Sequence, residues 1–376
     1  MSRNKVSIIG AGNVGATATY YIAEKVIADL VMVDVAGGMT QAKALDFLHA
    51  GPQRGYDVPI VGTSDFAQIA DSNVVVITAG LPRKPGMDRM DLLKVNAEIV
   101  KQAARAIVDY APNAVVIVVS NPLDVMCHVA LRATGFALRR VVGMAGILDA
   151  TRFRYFVAEQ LGCALSSVHA MVLGGHGDQM VPMPRLTTVG GVPITALMDA
   201  ATIARLVDRT RKGGAEIVAL LKTGSAYYAP AASVAEMVEA VITDRKHLAP
   251  CAVYLRGEYG IEDLFIGVPA VLGKNGVEKI IELALTDEER KLLLASADAV
   301  RKGYNLQGRD IGTVPPQIVA GMEAVAEVTG KLKADPNCRD PKALVEAENK
   351  LRAQGFSNLG DFMNKLGSQF EAFKNM

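Results

Sequence analysis

The segment Val6-Ser-Ile-Ile9 runs straight into Gly10-Ala11-Gly12-Asn13-Val14-Gly15, and Asp34 stands nineteen residues beyond Gly15. A short apolar run bounded by glycine reads as a strand buried on both faces. The glycine series G-x-G-x-x-G permits a tight turn, close approach of backbone to a pyrophosphate and close packing of helix on strand. The helix that follows, read from Ala16 to Lys25, points its free N–H groups and positive dipole end at that pyrophosphate. A carboxylate at the end of the next strand is placed to accept hydrogen bonds from ribose hydroxyls. Gly10, Ala11, Gly12, Asn13, Val14, Gly15 and Asp34 are therefore the expected cofactor contacts. A 2′-phosphate would meet the charge of Asp34, and no lysine or arginine follows before Lys43, so NAD is expected over NADP.

Further strand patterns rich in valine and isoleucine occur at Leu30–Val35, Val74–Thr78, Ala114–Ser120 and Val141–Met144, separated by helical stretches. Such alternation predicts right-handed crossovers and an α/β, Rossmann doubly wound parallel sheet. From about Thr151 the pattern changes. Ser166–Leu173 leads to a glycine-flanked histidine, a long helix is expected over Ile194–Lys222, and the 250s to 280s alternate like an antiparallel meander. A terminal helix is expected over Glu288–Lys302. The expected organisation is a nucleotide-binding domain over residues 1–147, an α+β substrate domain over 148–303, and a helical C-terminal extension over 304–376.

Bulk properties exclude several roles. The 376 residues carry a net charge of only +1, which argues against nucleic acid or an anionic membrane surface as partner. Half the residues are hydrophobic, enough for a sizeable core, yet no apolar run reaches the length of a membrane span. Cys127, Cys163, Cys251 and Cys338 are scattered without metal-ligand spacing, so free thiols and no metal are expected. The buried-strand pattern begins within five residues of Met1, leaving no leader, so a cytoplasmic protein is expected.

Four segments carry chemistry. They are Gly80-Leu-Pro-Arg83-Lys-Pro-Gly-Met-Asp-Arg89, Val119-Ser120-Asn121-Pro-Leu-Asp124, Leu148-Asp149-Ala-Thr-Arg152-Phe153 and Gly174-Gly-His176-Gly-Asp178. An imidazole titrates near the working pH and suits proton transfer. Arg152 lies three residues after Asp149, so on a helix both face one pocket. A guanidinium can grip a carboxylate with two parallel hydrogen bonds. Leu81 to Leu93 reads as a charged, proline-interrupted loop grading into a helix.

In identity, order and spacing these segments resemble the lactate/malate dehydrogenase family, and within it the lactate-dehydrogenase-like malate dehydrogenases, over residues 4 to 302. The resemblance implies reversible hydride transfer between malate and NAD, with His176 as acid and base and Asp149 orienting it. It implies that Arg89 polarises the carbonyl from a segment that closes over substrate, that Arg152 holds the C1 carboxylate and that Asn121 contacts substrate. Val119, Ser120, Asn121 and Asn96 are implied as further cofactor contacts. Arg83 occupies the position that is typically glutamine in lactate dehydrogenases, so it is expected to pair the second carboxylate of a dicarboxylate. The alternatives are a lactate or other 2-hydroxyacid dehydrogenase and a nucleotide-binding protein without catalysis. A homo-oligomer is implied, tetramer or dimer. The extension has no counterpart in most of the family. Leu359, Phe362, Met363, Leu366, Phe370 and Phe373 form one apolar stripe there, expected to pack on the body or on a neighbouring subunit.

Overall fold

The first strand forms where its valine and isoleucines demand burial, and the sheet grows outward from it on both sides. The computed structural model describes residues 3–81, 89–304, 349–352 and 356–357, with only the backbone given for residues 89–92. The first half comprises β1 (Lys5–Ile9), α1 (Asn13–Ala23), β2 (Asp29–Val33), α2 (Gly37–Arg54), β3 (Ile60–Thr63), β4 (Val74–Ile77), α3 (Arg89–Tyr110), β5 (Val115–Val118), α4 (Leu123–Thr134) and β6 (Val141–Gly143). The second comprises α5 (Gly146–Leu161), β7 (Val168–His169), β8 (Val172–Gly174), β9 (Met180–Pro182), β10 (Thr188–Val189) and β11 (Val192–Pro193). It continues with α6 (Ala200–Leu221), α7 (Tyr228–Ile242), β12 (His247–Arg256), β13 (Glu262–Gly273), β14 (Gly276–Ile280) and α8 (Asp287–Tyr304).

β1 to β6 are all parallel, in the order β3-β2-β1-β4-β5-β6. The order reverses between β1 and β4, and there the crossover helices leave opposite faces, opening a crevice at the carboxyl ends of the strands. The Gly10 loop lies in that crevice. Thr78 and Ala79, at the end of β4, both donate their N–H to the Ile9 carbonyl at 2.9 Å.

Three elements differ from the sequence expectation. β3 was not visible in the pattern: it is an edge strand in which Val61 is exposed and Gly62 lies tight against the Thr40 carbonyl, so it lacks the continuous apolar run of a central strand. α1 starts at Asn13, not Ala16, so Gly15 is inside the helix. The stretch from Ile194 is not one helix. A short 3-10 turn at Ile194–Ala196 precedes α6, which Asp199 caps by accepting the Thr202 N–H at 2.7 Å. The meander is present as β12, β13 and β14, all antiparallel, and β12 joins β6, so one sheet runs through both halves.

The arm bearing His176 meets this sheet at a single pair, Gly267 of β13 against Gly174 of β8. A Cβ on Gly267 would lie 2.6 Å from the Gly174 carbonyl oxygen. Only glycine permits the approach.

Two points of the extension reach the core. Leu351 is fully buried and Phe356 nearly so, and both belong to the main hydrophobic cluster. The Phe362, Phe370 and Phe373 stripe lies outside the described residues.

Gly267→Ala is expected to destabilise the protein by about 1–3 kcal/mol, the usual cost of overpacking. Chemical unfolding measures it, and an unchanged midpoint would mean that the β8–β13 contact yields without strain.

Candidate active site

Building from the crevice, the Gly10 loop satisfies the requirements of a pyrophosphate cradle. α1 has Gly12 as its N-cap with no side-chain cap, and a Cβ at Gly12 would meet nothing within 4 Å. A Cβ on Gly15 would stand only 1.8 Å from the Gly10 carbonyl oxygen, so the helix packs on the loop only because that position is glycine. The first-turn N–H groups of α1 are thus presented to open space beside a bare backbone, the arrangement a dinucleotide phosphate needs.

Asp34 sits one residue past β2. Its Oδ2 accepts the Ala11 N–H at 2.7 Å and its Oδ1 accepts the Ala36 N–H at 3.1 Å. Lys43 Nζ donates to the Ala11 carbonyl at 2.6 Å. A carboxylate and an ammonium thus hold the two faces of one residue of the loop. Lys43 is a contact the sequence reading did not assign, and the spacing from Asp34 was its only signal.

Asn96 and Ser120 are buried and turned inward. The Asn96 amide accepts the Leu81 N–H at 2.8 Å and donates to the Leu81 carbonyl at 3.3 Å and the Asn121 carbonyl at 2.7 Å. It ties the last residue before the segment 82–88 to the end of β5. Ser120 Oγ donates to the Ala79 carbonyl at 2.6 Å. Val119 is buried and Asn121 is exposed at the mouth of the crevice.

The candidate acid–base group is built on α5 and on the turn between β8 and β9. Asp149, fully buried in the first turn of α5, accepts from Arg152 Nη1 at 3.2 Å on Oδ1 and meets His176 Nδ1 at 2.9 Å on Oδ2. One carboxylate therefore orients both the ring and the guanidinium. Burial opposes the charged imidazolium, but the charge and hydrogen bond of Asp149 outweigh it, and His176 is held above the usual histidine range. Arg152 is not the solvated partner of Glu159 that a surface helix would give. Glu159 pairs with Arg209 at 2.8 Å, while Arg152 lies against Gly213 and Gly214 of α6. Its buried Nε has no hydrogen-bond partner among the described residues, leaving donor capacity for an incoming carboxylate.

Two residues missed by the sequence reading fix the His176 turn. Asp124 Oδ2 accepts the His176 backbone N–H at 3.1 Å. Ser296, buried on α8, accepts the Gly175 N–H at 2.9 Å and donates to the Gln179 carbonyl at 2.7 Å. Asp124 had a signal, as the carboxylate closing the Val119–Asp124 segment. Ser296 had none, being a serine in an amphipathic helix 120 positions past His176. Asn121, Asp124, His176, Asp178, Gln179 and the last turns of α8 enclose a cavity of about 570 Å³. Arg83 lies outside the described residues, and Arg89 opens α3 with its side chain outside the description. No group of metal-ligating side chains occurs among the described residues.

Residues 4–143 match the model of the lactate/malate dehydrogenase NAD-binding domain, and residues 147–307 that of the family's α/β C-terminal domain. The chain belongs to the lactate/malate dehydrogenase family. It is 60% identical over 300 residues to a malate dehydrogenase of Thermomicrobium roseum, covering 80% of this chain and 97% of that one. It is 55% identical over 311 residues to a malate dehydrogenase of Desulforudis audaxviator, covering 83% and 100%. The malate dehydrogenase of Picrophilus torridus in its apo form superposes with a TM-score of 0.78 at 45% identity, over 80% of this chain and 96% of that one. The lactate dehydrogenase of Cryptosporidium parvum complexed with lactic acid and NAD gives 0.78 at 42% identity, over 80% and 97%. The family domains end at residue 307 of 376, so the rest of the extension lies beyond them.

Asp34→Ser is expected to shift the preference for NADH over NADPH by tenfold or more, since a like charge near a phosphate costs about 1–4 kcal/mol. Lys43 would then be the charge left beside Ala11. NADH should also bind more weakly, because the Ala11 N–H loses its acceptor. Fluorescence titration with both nucleotides checks this, and an unchanged ratio removes Asp34 from cofactor choice.

Proposed function

We propose that the chain is an NAD-dependent malate dehydrogenase, catalysing reversible hydride transfer between malate and NAD to give oxaloacetate and NADH. The observation that carries it is the shared carboxylate of Asp149, which places an imidazole and a guanidinium side by side on the pocket. Malate requires that pair: a base for the C2 hydroxyl proton and a cation for the adjacent C1 carboxylate.

The nicotinamide, when bound, supplies the hydride acceptor. His176 takes the hydroxyl proton through Nε2 as the hydride departs, and Asp149 stabilises the resulting imidazolium. Arg152 holds the C1 carboxylate. Arg89 polarises the C2 oxygen and Asn121 contacts substrate at the mouth of the crevice. Gly10 to Gly15, Asp34, Asn96, Val119, Ser120 and Asn121 form the cofactor site, with Asn96 and Ser120 acting through the backbone they hold. Arg83 pairs the distal carboxylate of the substrate. Closing a dry pocket over an unpaired carboxylate is expensive, and so is closing it over an unpaired guanidinium, so one residue penalises both wrong partners.

A domain division at residues 1–147, 148–303 and 304–376, a cytoplasmic homotetramer, with a dimer as the alternative, and a place in the tricarboxylic acid cycle complete the reading. They are supported by the family alone. Among the described residues no helix is long and apolar enough to cross a membrane. The likeness to lactate dehydrogenases keeps a monocarboxylate 2-hydroxy acid as the second reading, against which Arg83 stands.

His176→Asn is expected to leave NADH binding nearly intact and to lower turnover by about 10²–10⁴-fold, the usual worth of positioned acid–base catalysis. Near-normal turnover would remove His176 from the chemistry. Arg83→Gln is expected to cost oxaloacetate several kcal/mol of transition-state binding while pyruvate gains, because only the former buries a second charge. Steady-state kcat/KM for both acids gives the ratio. If it does not move, Arg83 does not read the distal carboxylate.

A further inference from the structure

His176 lies between two buried carboxyl groups, and the family reading uses only one of them. Asp149 bonds its ring. Asp124, at the start of α4, bonds its backbone, and the Oδ1 of Asp124 has no hydrogen-bond partner among the described residues. Asp124 is 6% exposed and lines the cavity of about 570 Å³ that it shares with His176 and Asn121. Asp124 thus combines a buried, unpartnered carboxyl oxygen with a hydrogen bond to the backbone of His176.

We propose that Asp124 is a positioning residue that acts on His176 in two ways, fixing its backbone through Oδ2 and supporting its imidazolium by charge. This rests on the reading of His176 as acid and base. The groups that bear on the pair are few. Asp149 and Arg152 face it from α5, Asp178 from the same turn, Cys127 and His128 from the next turn of α4, and Tyr304 from α8. Arg152 opposes the imidazolium and Asp149 and Asp124 favour it, so removing either carboxylate lets Arg152 weigh more.

Burial pushes the Asp124 carboxyl up to about 6, while the His176 N–H and the charge of the ring pull it back down. The sign follows. Above about pH 6 Asp124 is charged and His176 holds its proton more tightly. Below it the support fades, but His176 is then protonated in any case. The effect therefore falls where the enzyme works: it extends the imidazolium, the form that reduces oxaloacetate, to higher pH, and it delays the neutral form that oxidises malate.

Asp124→Asn separates charge from geometry, because the amide oxygen still accepts the His176 N–H. The test reads His176 directly. Diethyl pyrocarbonate attacks neutral imidazole, and peptide mapping reports its modification at His176 as a function of pH, with His176→Asn as the blank. The variant should show the His176 midpoint lowered, because a charge that favours the imidazolium has been removed. The kcat/KM profile for oxaloacetate should fall off at correspondingly lower pH, with NADH affinity unchanged. An unmoved modification midpoint overturns the proposal. A moved midpoint with an unmoved kcat/KM profile supports Asp124 and overturns the catalytic reading of His176 instead. Should the variant not fold, a second charge-removing variant decides. In Asp124→Ser, which also removes the charge, the His176 modification midpoint should be lowered, and an unmoved midpoint there overturns the proposal.

Discussion

A buried carboxylate is the constraint from which the substrate half of this molecule is arranged. Asp149 is 1% exposed, and an uncompensated charge there would cost several kcal/mol. It is compensated by two partners from different places: Arg152 from the next turn of α5, and His176 from the turn between β8 and β9. The first partner comes with the helix. The second has to be delivered by tertiary structure, and much of the second half does this. β8 is seated on β13 at Gly267, α8 pins the turn through Ser296, and α4 pins it through Asp124. α6 packs glycines against Arg152, so the guanidinium stays near the carboxylate.

The cofactor half is governed by backbone, and that is why it was legible. A strand that ends in glycine and a helix that begins on glycine specify each other locally, and Asp34 completes the site by bonding Ala11 within the same unit. The parallel character of the sheet, with β1, β2, β4, β5 and β6, followed from the same local patterns. What escaped was whatever depended on distance. β3 escaped because edge strands need no apolar run. Lys43 escaped because a lysine on a helix gives no sign of which carbonyl it reaches. Ser296 escaped because its partners, Gly175 and Gln179, are brought to it only by the packing of α8.

Asn96 and Ser120 mark the boundary between these two kinds of information. The family resemblance implies that both are cofactor contacts. Their side chains, however, are spent on backbone groups, with Asn96 accepting the Leu81 N–H and donating to the Asn121 carbonyl. In the structure Asn96 holds Leu81, the residue before the segment 82–88, to Asn121, and Ser120 holds Ala79. A resemblance transfers positions, while the division of work among them depends on which hydrogen bonds each side chain has left to give.

The extension is joined to the same machinery at its root. Tyr304, the last residue of α8, is buried, stacks edge-on against His128 at 4.3 Å and donates its hydroxyl to the Asp124 carbonyl at 3.1 Å. The residue that holds the His176 backbone is thus itself held by the residue from which the extension departs. Leu351 and Phe356, further along the extension, also belong to the core cluster. Tyr304 is thus a single hydrogen bond away from Asp124, and Asp124 is a single hydrogen bond away from His176.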